Sequence, residues 1–275
     1  MLDYSYGTSS FVMPNLLAKL DAEVLVVNPY ANTAGVLTFD RAASAARVSE
    51  LVRASGAHLG AVLDPGGEFV DIVDDAGHML SHDEALLVLV TLVTEAVPGA
   101  RIALPVAASG VAERICQAAG AEIVWTKLSA SHLMDVARSE KVTLAASQSG
   151  GFIFPSFLPA FDGAATLVNL VALLTASGRT LSELVGAMPP VRIAHQSVHT
   201  PWDQKGMLMR TLVERSQGRE LVLVDGVKVL EDDGWALVLP DPEEPLTHVW
   251  AEAPSASRAE ARVAEYTTRL EHLLH

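Results

Sequence analysis

The sequence contains only one cysteine and lacks any long apolar run. Cys116 alone cannot form an internal disulfide, and its Ile-Cys-Gln-Ala-Ala setting predicts a small buried helix residue in a reducing compartment. The most apolar stretches, 85–93 and 164–176, are far shorter than the roughly 20 residues of a membrane span. The N-terminus has no basic segment followed by an apolar core, as a signal peptide would. We therefore expect a cytoplasmic protein with no membrane partner.

Positive charge is also scarce. Nineteen Lys and Arg residues stand against thirty-three Asp and Glu residues, which leaves a net charge of −14. Such a surface repels the phosphate backbone, so nucleic acid is not an expected partner. The same field disfavours a phosphorylated ligand unless local Lys and Arg side chains overcome it.

Several enzyme signatures are missing. The sequence has no GxSxG, Walker or GxGxxG motif and no HxxxH pair on a predicted helix. The histidines are scattered and have no cysteine nearby, so the sequence does not predict a zinc site. They are His58, His78, His82, His132, His195, His199, His248, His272 and His275.

At 275 residues the chain is long enough for two or three domains. Strands alternating with helices predict two tandem α/β domains with mostly parallel sheets, over residues 1–97 and 98–200. Capping boxes at Ser81/Glu84 and Ser257/Glu260 mark two helix starts. Short strands separated by tight turns predict a small α+β domain over 201–275. The abrupt opening, Met1 to Tyr4, suggests that the sequence begins inside a domain of a longer protein.

One turn of the first domain carries paired carboxylates. An apolar run, Ala61 to Leu63, predicts a buried strand that ends at Asp64 and a Pro-Gly-Gly turn followed by Glu68. A second short strand, 69–73, follows as in a hairpin. This arrangement presents carboxylates at the mouth of a sheet.

This order of elements and loops resembles domains two to four of the α-D-phosphohexomutase family, which includes phosphomannomutase and phosphoglucomutase. The resemblance covers nearly the whole chain and implies two tandem mutase-like α/β domains followed by an α+β domain. The family's phosphoserine lies in its first domain, so the resemblance assigns no catalytic residue here. The markers are the Asp64 turn, the Ser147-Gln148-Ser149-Gly150 loop, Asp162-Gly163, the strand beginning at Asp225-Gly226, and Glu244-Pro245 before the strand ending at Ala253.

The metal loop departs from the family pattern. The family carries Asp at every second residue and then Arg, because Mg²⁺ needs several oxygen ligands. This chain keeps Asp64, has Gly66 and Phe69 in place of an Asp and the Arg, and substitutes Glu68. We expect no cofactor, or at most a hydrated Mg²⁺ held weakly by Asp64 and Glu68. The alternative is an ordinary turn whose carboxylates face water.

The sugar-recognition loop also lacks some of the side chains that the family uses. The family offers a Glu, a Ser and a Gly-His pair to sugar hydroxyls. Here Ser147 replaces the Glu and Gly151 replaces the His, leaving Ser149 and Gly150. A hydroxyl cannot accept the paired contacts that a carboxylate accepts. Ser147, Ser149 and Gly150 are the remaining candidates for substrate binding, with a plain turn as the alternative.

The phosphate loop differs most. The family places Arg, Ser, Gly and Thr before Glu-Pro, so that a guanidinium, hydroxyls and backbone N–H groups surround the phosphate. This chain has no Arg there, and Pro242 removes an N–H group. Asp241 and Glu243 add negative charge. We expect no phosphate binding at this loop.

A further segment, Pro201 to Gly206 with Met209 and Arg210, is similar to the mutase-like C-terminal region of bacterial fusion proteins that begin with a mannose-1-phosphate guanylyltransferase. Residues 3–7 at the start of the sequence are similar to the same fusion proteins. An alternative interpretation puts Trp202 and Met209 in the core and leaves Lys205 and Arg210 as solvated charges.

Three functions are compatible with these patterns. The favoured hypothesis is a catalytically degenerate mutase-like module, regulatory or scaffolding, beside a nucleotidyltransferase domain in the same longer chain or in a partner chain. The second is an active phosphomannomutase or phosphoglucomutase fragment without its phosphoserine domain. The third is a binding protein for an unphosphorylated sugar or a nucleotide sugar. Association into a homo-oligomer is left open.

Overall fold

The computed structural model describes residues 1–274, which form two compact units. The first unit contains residues 1–104, 112–124 and 129–189, and the second contains 105–111, 125–128 and Pro190 onward. Two mixed sheets with helices are followed by an antiparallel α+β sheet, as the sequence predicted. The predicted boundaries at residues 97/98 and 200/201 stay a prediction.

The first sheet has the strand order β2-β1-β3-β4. Strand β1 is parallel to both β2 and β3, whereas β4 is antiparallel to β3, with Leu63 opposite Val70. The fully buried strand β3 and the β3–β4 hairpin confirm the prediction for the Asp64 region. Its elements are β1 (Leu2–Asp3), α1 (Met13–Lys19), β2 (Val26–Val27), α2 (Thr33–Leu37), α3 (Arg41–Ser55), β3 (Gly60–Leu63), β4 (Val70–Val73) and α4 (His82–Ala96).

The second sheet has the order β6-β5-β7-β8. Strands β5 and β7 are parallel, and β8 pairs antiparallel with β7. Cys116 is buried in α5, as predicted, and burial raises the pKa of its thiol to about 11. The elements are β5 (Arg101–Pro105), α5 (Gly110–Ala118), β6 (Glu122–Thr126), α6 (Ala130–Ser139), β7 (Leu144–Ala146), β8 (Phe152–Ile153), α7 (Gly163–Ser177) and α8 (Leu181–Ala187).

The C-terminal sheet has the order β10-β11-β12-β13-β9, and every pairing is antiparallel. The Asp225-Gly226 pair forms a turn before the strand that begins at Val227, and this turn needs its glycine, since Gly226 has φ +65° and an added Cβ would lie 2.3 Å from the carbonyl oxygen of Val238. The elements are β9 (Ile193–His199), α9 (Lys205–Arg215), β10 (Leu221–Val222), β11 (Val227–Glu231), β12 (Gly234–Pro240), β13 (Leu246–Glu252) and α10 (Ala256–Leu274).

Local signals fixed most helix starts. The capping box at Ser81 and Glu84 is formed, and Asp40 and Asp162 cap α3 and α7. The capping box predicted at Ser257 and Glu260 is wrong, because α10 already begins at Ala256. The Ser255 hydroxyl accepts the N–H of Arg258 instead.

Within residues 1–274 no single helix has the length and apolar character needed to cross a membrane. One pair of helices, Gly163–Ser177 and Leu181–Ala187, reaches the required length and composition only when taken together, and it is bent by 79°.

Tyr266 gives the C-terminal unit a pH-dependent component of stability. Its ring is buried and its hydroxyl donates to Glu231 at 3.0 Å. Burial, and then the hydrogen bond to Glu231, raise the pKa of Tyr266 to about 12. A raised pKa stabilises the fold fully below the ordinary value near 10, and the contribution is lost as pH rises toward 12.

We therefore expect Tyr266→Phe to unfold with a shallower dependence on pH between about 10 and 12 than the wild type, a difference of at most about 2–3 kcal/mol. Urea denaturation at fixed pH values measures it. Tyr30→Phe is the matched control, since Tyr30 is 79% exposed. Equal slopes for the Tyr266 variant and the wild type would contradict the assignment.

Candidate functional site

The Asp64 carboxylate is held inside its own turn. Its Oδ1 accepts the N–H of Phe69 at 2.6 Å, and its Oδ2 accepts the N–H of Gly66 at 3.0 Å. The backbone closes the same turn, because Gly67 N–H donates to the carbonyl of Asp64 at 2.9 Å. Asp64 therefore stabilises the hairpin connection between β3 and β4.

The turn offers few ligands to a magnesium ion. A Cβ added at Gly66 would lie 2.9 Å from Asp64 Oδ2 and 3.9 Å from Glu68 Cγ, so both carboxylate side chains flank this position. Across residues 1–274 no three His, Cys, Asp or Glu side chains cluster where a metal could bind. Mg²⁺ demands a nearly complete octahedron of oxygens, which these two residues fit poorly. Metal binding by Asp64 and Glu68 stays a prediction.

The Ser147–Gly151 loop is organised by a hydroxyl. Ser147 is buried, and its Oγ accepts the N–H of Gly151 at 3.1 Å and lies 3.0 Å from the hydroxyl of Ser149. Gly150 sits at φ +83°, a conformation that favours glycine. Ser147 therefore holds the loop together, and the hydroxyl of the exposed Ser149 lies beside that of Ser147.

The structure brings the two predicted loops together. Phe69, at the end of the Asp64 turn, forms an antiparallel bridge with Gly151. Its ring stacks on Phe161 with centroids 5.6 Å apart. A Cβ at Gly151 would lie only 2.7 Å from the Phe161 ring and 2.8 Å from that of Phe69. The position where the family has an arginine therefore forms an apolar wall that leaves no space for a side chain at residue 151.

Sequence reasoning missed a charged cluster beside these loops. Arg41, at the start of α3, makes a two-pronged ion pair with Asp71 of β4. His82 Nε2 lies 3.3 Å from Arg41 Nη2 and 3.6 Å from Asp71 Oδ1. A Cβ added at Gly150 would be 3.0 Å from His82 and 3.5 Å from Arg41. The one sequence feature that could have indicated this cluster was Asp71, an acidic residue in the otherwise apolar strand Val70–Val73.

The cluster is electrostatically self-contained. Asp71 has a side chain only 2% exposed. Burial alone would raise the pKa of Asp71, but hydrogen bonds from His82 and Arg41 outweigh it and leave the pKa below its usual value. The hydrogen bond to Asp71 raises the pKa of Arg41, and the charges of Asp71 and Asp64 add to this. The pair of Arg41 and Asp71 carries no net charge.

Arg41→Ala should destabilise the first unit by about 2 kcal/mol. Removing one partner of a fully buried pair costs about 3–5 kcal/mol, and the cost is smaller here because the Arg41 side chain is 41% exposed. Chemical denaturation measures the effect. Arg47→Ala, on an exposed position of the same helix, should stay within about 0.5 kcal/mol of wild type. A similar small effect for both variants would contradict the role assigned to Arg41.

In the second unit the loop before Pro245 has an internal carboxylate, that of Asp241, which accepts hydrogen bonds from the loop's own backbone. Asp241 Oδ1 accepts the N–H groups of both Glu243 and Glu244 at 2.7 Å. Asp241 Oδ2 lies 2.9 Å from Nε2 of His248. The hydrogen bond to His248, and then those from the two backbone groups, lower the pKa of Asp241 to about 2. The carboxylate is therefore ionised at neutral pH and occupies the backbone donors that face it.

A buried lysine fixes the same loop. Lys205 Nζ donates to the carbonyl of Asp241 at 2.6 Å and to that of Glu244, and it lies 3.6 Å from the centre of the Trp202 ring. The alternative interpretation is therefore wrong for Lys205, which is buried, and for Trp202, which is 54% exposed. Met209 does pack against the core and Arg210 is exposed, as that interpretation held.

Comparisons with known proteins agree with this geometry. The profile of the phosphoglucomutase/phosphomannomutase alpha/beta/alpha domain III matches residues 81–191. A probable phosphoglucosamine mutase of Methanopyrus kandleri is 31% identical over 94% of this chain and 58% of its own length. A phosphoglucomutase/phosphomannomutase of Thermococcus kodakarensis is 26% identical over the same shares. The chain thus spans about 58% of the length of these relatives.

Solved structures show the same fold. A phosphoglucomutase/phosphomannomutase family protein from Burkholderia thailandensis superposes with a TM-score of 0.81 at 22% identity, over 98% of this chain and 59% of that one. An N-acetylphosphoglucosamine mutase of Aspergillus fumigatus, solved with GlcNAc-6P and magnesium, gives 0.64 at 14% identity over 100% and 65%. The domain III profile and the sequence relatives support a phosphohexomutase-family region homologous to domains two to four of sugar-phosphate mutases, and the solved structures show that its fold is the same.

Proposed function

We propose that this chain is a catalytically degenerate mutase-like module in sugar-nucleotide metabolism of the GDP-mannose type. It acts as a regulatory or scaffold part of a sugar-1-phosphate nucleotidyltransferase, within one longer chain or between partner chains. The observation that carries the proposal is the position of Asp241, whose carboxylate accepts the N–H groups of Glu243 and Glu244.

A phosphate ester would need those same donors. Backbone N–H groups that point into one concavity bind anions, and a carboxylate with a pKa of about 2 already fills this one. Exposed Glu243 and Glu244 add negative charge around it. The loop therefore keeps the backbone shape of an anion site but repels a doubly charged ligand.

The other two loops support the same conclusion. Asp64 caps its own turn, and Phe69 packs on Phe161 where the family resemblance expects an arginine. The hydroxyl oxygen of Ser147 accepts a hydrogen bond from the backbone N–H of Gly151 in its own loop. Each of the three loops has therefore separately lost groups needed to recognise a metal, a sugar or a phosphate. This favours a protein that retains the mutase fold in a different role.

The alternative is an active phosphomannomutase or phosphoglucomutase fragment that needs a phosphoserine domain from outside this sequence. The names of the relatives favour it, since they include mutases for glucosamine, hexose and pentose phosphates. An activity assay on the chain alone cannot separate the two, because both predict no turnover without the phosphoserine.

Ligand binding separates them. We expect isothermal titration with glucose 1-phosphate and mannose 1-phosphate, with and without Mg²⁺, to detect no saturable binding. An active fragment would bind these esters through its phosphate loop. Binding of mannose or GDP-mannose without binding of the esters would instead support the third function. The coding sequence upstream of Met1 gives a second test: a nucleotidyltransferase signature supports the module, whereas a Ser-His-Asn-Pro-type loop supports the enzyme.

A further inference from the structure

Two histidines on strands β9 and β13 and an aspartate in the loop between β12 and β13 form a connected chain. His195 Nε2 lies 3.1 Å from Nδ1 of His248, and His248 Nε2 lies 2.9 Å from Oδ2 of Asp241. Since an ionised carboxylate only accepts, His248 Nε2 carries the proton in this contact and the Nδ1 of neutral His248 has a free lone pair. The two nitrogens that face each other are therefore potential ligands.

Trp250 holds the imidazoles in place. The His195 ring stacks on Trp250 with centroids 4.7 Å apart, and the His248 ring lies 5.1 Å from the same indole. The rings are thus fixed before any ligand arrives.

The spacing matches a shared metal ion. With metal–nitrogen bonds of about 2.0–2.1 Å, two nitrogens 3.1 Å apart subtend an angle of roughly 100° at the ion, close to tetrahedral. A carboxylate on the far N–H of a ligating histidine is the usual device that orients such a ring. Asp241 provides it for His248.

We propose that His195 Nε2 and His248 Nδ1 bind a transition-metal ion of the zinc type, with Asp241 as the orienting carboxylate. The proton on His195 moves from Nε2 to Nδ1 when the ion binds, so charge is conserved on the ring. The ion has two protein ligands, in keeping with the absence of any larger cluster within the described chain, and water completes its coordination. Nitrogen ligands select zinc, nickel or copper over magnesium, and the net charge of −14 attracts any cation.

Equilibrium dialysis and calorimetry with Zn²⁺ alone test this site. The background is His272→Ala, because His272 and His275 are three residues apart in the sequence and could take up the ion. We expect one equivalent of zinc, at least tenfold weaker binding in His195→Ala and His248→Ala, and no change in His58→Ala, whose side chain is exposed elsewhere. Asp241→Asn should weaken binding by about 10–100-fold.

A second measurement does not depend on whether the variants fold. In the wild-type protein Zn²⁺ should shift the imidazole NMR signals of His195 and His248 and leave those of His58 and His132 in place. No saturable zinc binding, or binding that both histidine variants retain, would overturn the site and leave the 3.1 Å contact as a hydrogen bond between imidazoles. Either result leaves the mutase-like assignment untouched, because no magnesium or phosphate ester is involved.

Discussion

Replacing Glu252 with alanine should lower the free energy of unfolding by about 3–5 kcal/mol, the largest stability effect we expect from one side chain. Glu252 is only 9% exposed, at the end of β13. Its carboxylate accepts the indole N–H of Trp235 at 2.7 Å, the N–H of Gly110 at 2.7 Å and the hydroxyl of Ser109. Without it, these donors are left buried with no acceptor, at about 1–3 kcal/mol each, partly relieved by water.

Urea denaturation followed by tryptophan fluorescence measures this change. Glu252→Gln keeps one oxygen acceptor but turns an amide N–H₂ toward a donor, so its cost should fall between those of alanine and wild type. Glu260→Ala, on an exposed position of α10, should change the free energy of unfolding by less than about 0.5 kcal/mol. A loss below about 1 kcal/mol for Glu252→Ala would show that water replaces the carboxylate.

Glu252 also illustrates what the sequence can reveal. Helix caps such as Asp40 and Ser81 were predictable because each side chain acts on a backbone N–H three residues away. Alternating apolar runs identified the strands for the same local reason. Glu252 contacts Ser109 across 143 residues, and Lys228 donates to the carbonyl of Val106 across 122. No local pattern encodes these partners, so buried charges were recognised only in the structure.

The candidate site was predictable in part. The loops at Asp64 and Ser147 were located correctly because turn-forming residues follow apolar strands, and the structure places them side by side. The pair of Arg41 and Asp71 was missed because it joins residues 30 apart. Asp241 was predicted only as an extra negative charge. Its D-x-E-E spacing, which lets a carboxylate accept N–H groups two and three residues later, was a local signal that went unused.

Asp241→Ala should strengthen anion binding at the loop before Pro245. The substitution frees the N–H groups of Glu243 and Glu244 and removes a negative charge from the loop. Lys205 still holds the loop through the carbonyls of residues 241 and 244, so the backbone concavity remains. We expect inorganic phosphate and sulfate to bind at least roughly tenfold more tightly than to wild type. Calorimetry, or chemical shifts of the two amides on titration, reports the change.

Asp241→Asn distinguishes the effect of the negative charge at residue 241 from the effect of an oxygen that occupies the two backbone N–H groups. The asparagine oxygen can still accept both backbone N–H groups, although the negative charge is gone. If phosphate is excluded because the N–H groups of Glu243 and Glu244 already have an acceptor, only Asp241→Ala should bind it. If phosphate is excluded only by the negative charge of Asp241, both variants should bind it equally. Binding by neither variant would show that Pro242, Glu243 and Glu244 prevent anion binding without Asp241, because a proline lacks a donor and the two carboxylates still surround the concavity. A gain confined to Asp241→Ala would instead show that one internal carboxylate holds the place of the phosphate.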